Sequence, residues 1–220
     1  MKDLKAVIFD LDNTLLNRMK TFHNFTISFV EHYFGHLSNT EEIIDRIIEL
    51  DQDGYKDKNE LFIELLEELT WNEKPMLNEL LDYYSKHYVS NACLMEGAIE
   101  VIERVRNSYK IGLITNGKTL IQYGKMDKLG IRGYFDFILV SEEVGVKKPN
   151  ARIFEMALER LNLPADQCVY VGDHPVKDIE GAGKAGLNTI WIQVNQPWNE
   201  DVTIRPNYII SHLRDLAGIL

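Results

Sequence analysis

Hydrophobic and polar residues follow two different rhythms along this chain of 220 residues. After a first short apolar run, apolar side chains recur every three or four positions up to about residue 90, a spacing typical of amphipathic helices. Beyond that point, helical stretches alternate with short apolar runs rich in valine, isoleucine and aromatic residues, which are typical of buried strands. The pattern therefore predicts an all-helical segment and a separate α/β region.

The helical segment is predicted to contain four helices. The first covers residues 21–34, and Ser38 with Glu41 matches a capping box at the start of the second. A third helix carries the apolar stripe that includes Leu61, and Pro75 suits the first position of the fourth. The net charge of the whole chain is −10 and most of the excess lies in residues 41–90, which we interpret as solvated helix faces.

The α/β region starts with an apolar run at Lys5–Asp10 and resumes after the helical segment. We expect five later strands, at 111–115, 137–140, 168–171, 189–192 and, at an edge, 209–210. Helices are predicted between them, at 98–105, 119–129, 150–161 and 176–185. Such alternation favours an α/β fold, a doubly wound parallel sheet with helices on both faces. The predicted domains are 1–16 with 91–220, and the inserted helical domain 17–90, which we expect to act as a lid.

Aspartates follow two of the predicted strands. Asp10 and Asp12 come directly after the first apolar run, Asp173 follows the run at 168–171, and Asp178 comes five residues later. The carboxyl ends of parallel strands lie at one edge of a sheet, where ligands bind. Carboxylates gathered there repel each other unless a cation lies among them. We therefore predict a hard divalent metal, Mg²⁺, bound by oxygen ligands.

Two further motifs complete a set of four, Thr115-Asn116-Gly117 after the second strand and Lys148-Pro149 after the third. In this order, and over essentially the whole chain, the set resembles the haloacid dehalogenase-like hydrolase superfamily. The resemblance implies a Rossmann-like core, and the helical insertion is similar to that family's C1-type cap. Members that dehalogenate lack the second aspartate of the first motif, so the presence of Asp12 favours a Mg²⁺-dependent phosphatase for a small phosphorylated metabolite.

The resemblance also implies a role for each aspartate. Asp10 would be the nucleophile that forms an aspartyl-phosphate. Asp12 would protonate the leaving oxygen and then accept a proton from the attacking water. The implied metal ligands are Asp10, Asp12, Asp173 and Asp178, the last either through a water molecule or by orienting the other groups.

The remaining two motifs are implied to bind the phosphate. Thr115 would donate its hydroxyl, and the main-chain N–H groups of Asn116 and Gly117 would assist it. A lysine would supply positive charge to the phosphate and to the nucleophile. We choose Lys148 over Lys147 because Lys148 directly precedes a proline, as in the family.

Other interpretations stay open at this point. A phosphomutase would use the same motifs, and a non-enzymatic phosphate- or metal-binding module would use them without turnover. The stretch 112–119 matches the phosphate-binding loop of nucleotide hydrolases. We reject that match because Leu113 and Ile114 look like the strand itself, whereas the loop should follow a strand. A dinucleotide-type glycine pattern at 181–186 lies late in a predicted helix and is rejected for the same kind of reason.

Composition limits the remaining classes of function. The two cysteines are far apart and indicate neither a disulfide framework nor a zinc site. No basic stripe favours a nucleic-acid partner, and no apolar run is long enough to span a membrane. We therefore expect a cytoplasmic protein, a monomer or a homodimer, without a nucleic-acid or membrane partner.

Overall fold

The computed structural model describes residues 3–220, which form two compact units. One unit comprises the described residues up to Asn17 together with Leu94–Leu220, and the other comprises Arg18–Cys93. The domains predicted from the change in hydrophobic pattern were 1–16 with 91–220, and 17–90. Within the described part of the chain, no helix is long and apolar enough to cross a bilayer.

Four helices build the unit Arg18–Cys93: α1 (Arg18–Phe34), α2 (Thr40–Asp51), α3 (Lys58–Glu68) and α4 (Leu77–Ser90). Their apolar faces meet in a core rich in aromatic rings. Phe25 and Phe29 of α1 are central to it, with the ring centroid of Phe29 lying 5.9 Å from that of Phe62 and 6.3 Å from that of Trp71. The apolar stripes predicted for these helices therefore lie on the helix faces that point into this core.

Two of the predicted helix starts are wrong. Helix α2 begins after Asn39, whose side-chain amide donates to the Glu42 carboxylate at 2.6 Å, so Ser38 and Glu41 do not form a capping box. Helix α4 begins after Met76 because the Glu79 carboxylate accepts a hydrogen bond from the Met76 N–H at 2.7 Å, which leaves Pro75 outside the helix. In both cases a neighbouring acidic residue binds the chain just before the helix.

A buried group of charges also lies inside the helical unit. Asp51, at the end of α2, forms ion pairs with Arg18 at 2.7 Å and with Lys58 at 2.6 Å. Arg18 also contacts Asp53 at 3.3 Å. These four residues bring two positive and two negative charges together, so the group is balanced.

The other unit contains a six-stranded sheet made of β1 (Ala6–Phe9), β2 (Lys110–Thr115), β3 (Phe137–Val140), β4 (Cys168–Gly172), β5 (Asn188–Ile192) and β6 (Tyr208–Ile210). All neighbouring strands are parallel, in the order β3-β2-β1-β4-β5-β6. The predicted parallel sheet is confirmed, including its edge strand.

Strand β1 occupies the middle of this sheet, and all four of its side chains are buried. A continuous apolar run suits such a strand because helices cover both faces of a parallel sheet. Phe9 is paired with Leu113 of β2 and with Val171 of β4. The residues that follow these three strands therefore emerge at one edge of the sheet.

Helices connect the strands: α5 (Ala98–Arg106), α6 (Thr119–Lys128), α7 (Ser141–Val144), α8 (Ala151–Leu161) and α9 (Gly181–Lys184), the last preceded by a π-helical segment at Pro175–Glu180. The predicted N-cap of α8 is present, since the Asn150 side chain accepts from the Arg152 N–H at 2.9 Å. The predicted helix at 176–185 is thus a π-helical turn that runs into a short α-helix.

Candidate active site

Three aspartate side chains meet at the carboxyl edge of the sheet. Asp10 follows β1, Asp173 follows β4, and Asp178 lies in the π-helical segment that comes next. One oxygen of each carboxylate lies within 4.8 Å of the others, and all three residues are buried. Gly172 makes this approach possible, because a Cβ at that position would lie 2.5 Å from Asp178 Cγ.

A buried lysine lies among these carboxylates. Lys148 Nζ donates to Asp10 Oδ1 and to Asp178 Oδ1, both at 2.6 Å, and to the Tyr170 hydroxyl oxygen at 2.9 Å. Lys147 is exposed, so Lys148 is the lysine that enters the site. Burial by itself would lower the pKa of Lys148, but the charges of Asp10 and Asp178 raise it above its usual value.

Negative charge is in excess in this cluster, because three carboxylates face two positive charges, those of Lys148 and of Lys177. Burial raises the pKa of Asp10 to about 7, Lys148 opposes that change, and Asp178 adds to it. Burial and then the charges of Asp178 and Asp10 raise the pKa of Asp173 well above its usual value. A cluster of hard carboxylate oxygens with excess negative charge fits Mg²⁺, which prefers such ligands.

The residues after β2 hold the lysine in place. The Asn116 side chain makes two hydrogen bonds to the main chain of Lys148, donating from Nδ2 to the Lys148 carbonyl at 3.0 Å and accepting from the Lys148 N–H at 2.9 Å. Asn116 therefore fixes the backbone from which the Lys148 side chain reaches the aspartates. The sequence predicted only a main-chain role for Asn116.

The other predicted phosphate ligands also lie at this edge. Thr115 is buried, and its hydroxyl oxygen accepts a hydrogen bond from the Gln122 side-chain amide. The N–H of Gly117, which was expected to face the phosphate, donates instead to the Ser141 hydroxyl at 3.0 Å. This difference arises because Ser141 opens the short helix α7 beside the loop that follows β2.

Asp12 lies apart from the group formed by the other three aspartates. Lys125 Nζ donates to its Oδ1 at 2.7 Å and to its Oδ2 at 2.8 Å, and Gln122 Nε2 donates to Oδ2 at 2.9 Å. The carboxylate of Asp12 is therefore not brought into the metal-ligand group, and its place among the ligands stays a prediction. Lys125 and Gln122 were missed by the sequence reasoning, although their spacing of three residues on α6 puts them on one helix face.

Two more residues contact the aspartates and were not predicted to do so. The Thr14 hydroxyl donates to Asp10 Oδ2 at 3.3 Å. The Tyr170 hydroxyl lies 3.2 Å from Asp178 Oδ1 and 3.3 Å from the carbonyl oxygen of Ile114. Thr14 follows Asp10 by four residues and Tyr170 lies within β4, but only the fold shows that their hydroxyls reach the site.

His174, to which the sequence assigned no role, is a capping residue. Its Nδ1 accepts from the N–H groups of Val176 and Lys177, at 3.1 and 3.2 Å, at the start of the π-helical segment. Burial, and then the charge of Lys177, lower the pKa of His174 to about 4. The imidazole is therefore neutral at physiological pH, as an accepting nitrogen requires.

The structure also decides the question of the nucleotide-type loop. Gly112 lies inside β2, and a side chain there would collide with the ring of Phe137. Lys118, which would have to bind a nucleotide phosphate, is exposed and forms an ion pair with Glu142 at 2.8 Å. The glycine at position 112 is thus explained by packing between β2 and β3, and the loop interpretation is rejected.

Comparison with known proteins agrees with this geometry. The family described as haloacid dehalogenase-like hydrolase matches residues 7–192. The pyrimidine 5'-nucleotidase YjjG of Escherichia coli is 38% identical over 127 residues, which cover 57% of this chain and 56% of that protein. A glyceraldehyde 3-phosphate phosphatase of Methanothermobacter thermautotrophicus is 32% identical over 203 residues, which cover 86% of this chain and 85% of that protein.

A solved structure is similar over the full length. The HAD-hydrolase YfnB from Bacillus subtilis, bound to magnesium, has a TM-score of 0.84 and 25% identity, and the match covers 100% of this chain and 99% of that one. The family match over residues 7–192 also covers the strand ends that carry the site residues, from the end of β1 to the end of β4. This chain therefore belongs to the haloacid dehalogenase-like hydrolase family.

Proposed function

We propose that this protein is a Mg²⁺-dependent phosphatase that hydrolyses a small phosphorylated metabolite through an aspartyl-phosphate on Asp10. One observation carries the proposal. Asp10 contacts Lys148 and lies beside two further carboxylates, in a buried cluster with excess negative charge that suits a divalent cation. A second aspartate, Asp12, follows two residues later and has separate hydrogen-bond partners.

The names of the relatives support a small phosphate monoester as substrate. One is called a pyrimidine 5'-nucleotidase and another a glyceraldehyde 3-phosphate phosphatase. These two substrates are a nucleotide and a sugar phosphate that share a phosphate monoester, so we propose the class of small phosphate monoesters and not a single compound. Polar metabolites of this kind occur in the cytoplasm, where we predict this protein to lie. The helical unit 18–93 would act as the cap that selects among them.

In the first half of the proposed reaction, an Asp10 oxygen attacks the phosphorus atom and the bond to the leaving oxygen breaks. Asp12 gives its proton to that oxygen, so the alcohol leaves neutral. Lys148 favours the ionised form of Asp10 and supplies positive charge to the phosphoryl oxygens. Thr115 would donate its hydroxyl to the phosphate. The main-chain N–H groups of Asn116 and Gly117 would donate to it as well. For Gly117 this means that its N–H would exchange the Ser141 hydroxyl for a phosphate oxygen.

In the second half, a water molecule attacks the phosphorus of the aspartyl-phosphate. Asp12, now ionised, takes the proton of that water, and the bond between Asp10 and phosphorus breaks. Inorganic phosphate leaves, Asp10 returns as a carboxylate and Asp12 holds a proton again. Each group therefore ends the cycle as it began.

The carboxylates of Asp10, Asp173 and Asp178 would hold the metal ion, and Asp12 is proposed as a further ligand. When bound, a divalent cation adds positive charge that stabilises the phosphoryl oxygens during transfer. The same charge would allow Asp10 and Asp173 to be ionised together, which their raised pKa values oppose in its absence.

A panel of phosphorylated metabolites and 4-nitrophenyl phosphate, assayed with Mg²⁺ and with a chelator, tests this function. We expect phosphate release that requires the metal. Asp10→Asn should lower kcat at least about 10³-fold because the nucleophile is lost. The matched control is Asp166→Asn, which changes an exposed aspartate of the same unit and should retain activity.

Two results would contradict the proposal. Activity retained by a folded Asp10→Asn protein would exclude the assigned nucleophile. Transfer of the phosphoryl group to a sugar phosphate in preference to water would identify a mutase, the alternative with the same motifs. Detection of a phosphate on Asp10 in acid-quenched enzyme by mass spectrometry would support the intermediate directly.

A further inference from the structure

Two residues of helix α6 converge on Asp12 from inside the protein. Lys125 and Gln122 are each 2% exposed. Together they give the Asp12 carboxylate three hydrogen bonds, two from Lys125 Nζ and one from Gln122 Nε2. A buried lysine is costly unless its charge is paired, and Lys125 has both oxygens of one carboxylate as acceptors.

We propose that Lys125 and Gln122 are positioning residues for the proton transfers of Asp12, an inference that rests on the phosphatase function proposed above. They would hold the carboxylate in the one orientation from which it reaches the leaving oxygen in the first half-reaction and the water in the second. Neither residue touches the reacting atoms.

The exposure of the two partners supports this assignment. The Lys125 side chain is 3% exposed, whereas that of Asp12 is 25% exposed. The ammonium group thus lies on the protein side of the carboxylate, and Asp12 keeps an open side. A lysine whose function was merely to neutralise a surface aspartate would sit in solvent with its partner, where such pairs contribute little.

Gln122 adds a link to the phosphate-binding residues. The same amide nitrogen that donates to Asp12 also contacts the Thr115 hydroxyl and lies 3.0 Å from the carbonyl oxygen of Asn116. The group that would transfer protons and the group that would bind the phosphate therefore share one buried side chain. Such a link matters because a displacement of about 1 Å can cost about 10²-fold in rate.

The proposal makes a prediction that a general loss of structure would not. An ester with a good leaving group needs no proton donor, whereas an ester with a poor one does. The probes are 4-nitrophenyl phosphate and phenyl phosphate, which differ in the basicity of the phenol released. The variants are Lys125→Met, which keeps the length without the charge, and Gln122→Leu. The matched control is Lys128→Met, because Lys128 is exposed on the same helix.

We expect Lys125→Met to lower kcat/KM for phenyl phosphate by about 10²-fold. Its kcat/KM for 4-nitrophenyl phosphate should stay within about threefold of the wild-type value. For 4-nitrophenyl phosphate, kcat and KM should fall together, because hydrolysis of the phospho-enzyme still needs Asp12 and becomes rate-limiting. Acid-quenched enzyme should then carry more phosphate than the wild type, as measured by mass spectrometry. Gln122→Leu should show the same signature, weaker, and Lys128→Met none of it.

Equal losses for both esters in Lys125→Met and Gln122→Leu, without accumulation of phospho-enzyme, would overturn the proposal. Should Lys125→Met fail to fold, Gln122→Leu carries the same comparison by itself. The result is separate from the proposed function: a wild-type protein that hydrolyses neither ester contradicts the phosphatase, whereas an active wild type with uniform losses in the variants contradicts only the positioning roles.

Discussion

The two units of this protein each bury a cluster of charges, and the clusters differ in their balance. In the helical unit, Asp51 and Asp53 face Arg18 and Lys58, so that opposite charges are equal in number. In the α/β unit, three carboxylates face the ammonium group of Lys148 and the charge of Lys177, so that negative charge is in excess. A balanced cluster can be a purely structural element, whereas an unbalanced one needs a further cation.

Two lysines, Lys58 and Lys148, reflect this difference. The pKa of Lys58 is lowered, because burial outweighs the attraction of Asp51, which Lys58 shares with Arg18. The pKa of Lys148 is raised although burial opposes this, because two carboxylates contact it. The comparison teaches that the environment of a charge, more than its depth, indicates whether a site is built to receive another ion.

The largest expected effect comes from removing the charge of Lys148, which contacts two carboxylates of the unbalanced cluster. Lys148→Met should lower kcat by about 10²–10³-fold, since a fixed positive charge at the phosphoryl group and at Asp10 is lost. Steady-state kinetics with the best substrate of the panel measures this. Lys147→Met removes an exposed charge from the neighbouring position and should have almost no effect. Comparable losses in both variants would contradict the assignment of Lys148.

In the balanced cluster, the expected loss is one of stability. Asp51→Asn leaves Arg18 and Lys58 buried without a full counter-charge, which should lower the free energy of unfolding by about 3–5 kcal/mol. Urea denaturation followed by circular dichroism measures the change. Asp45→Asn, at an exposed position of the same helix, should cost less than about 0.5 kcal/mol. If the two substitutions cost the same, the buried group is not what stabilises this region.

The pH dependence of stability should reveal the unbalanced cluster in metal-free protein. The pKa of Asp10 is about 7 in the folded state and 3.8 for the ordinary group, so between these values the folded protein keeps a proton that the unfolded chain has released. Stability should therefore fall as the pH rises through this window, by roughly 4 kcal/mol. Thermal unfolding with a chelator, compared between the wild type and Asp10→Asn, isolates this contribution. Identical pH profiles for the two proteins would contradict it.

The smallest of the four effects is stabilisation by the metal itself. Mg²⁺ at about 100 times its Kd should stabilise the folded wild type by about 2.7 kcal/mol. Asp173→Asn should abolish this response, whereas Asp51→Asn should keep it, because only the unbalanced cluster would bind the ion. Thermal shifts at increasing MgCl₂, with NaCl at equal ionic strength as the reference, measure it. A similar shift in Asp173→Asn would indicate that the ion acts elsewhere.

Much of this molecule was accessible from its sequence because strands and strand ends carry local signals. The apolar runs predicted all six strands, and turn residues after two of them marked Asp10 and Asp173. A parallel arrangement then requires that these ends share one edge. The order of the motifs further pointed to Lys148 in preference to its neighbour.

Other features depend on contacts that no local pattern records. Lys125 and Gln122 look like polar positions on the solvent side of a helix, and only the packing of α6 beside the turn after β1 buries them against Asp12. The helix starts at Thr40 and Leu77 were mispredicted because several nearby residues are comparable caps. Only the tertiary structure determines which of these residues caps each helix.

The central place of β1 has a consequence for how the chain acquires its structure. The two neighbours of β1 are β2 and β4, and Ala6 is level with Lys110 of one and Cys168 of the other. During synthesis, the first strand must therefore wait for its first partner until the helical insertion and β2 have been made, and for its second partner until β4 has been made. Such distant pairing slows folding and leaves an apolar strand open to wrong associations in the meantime.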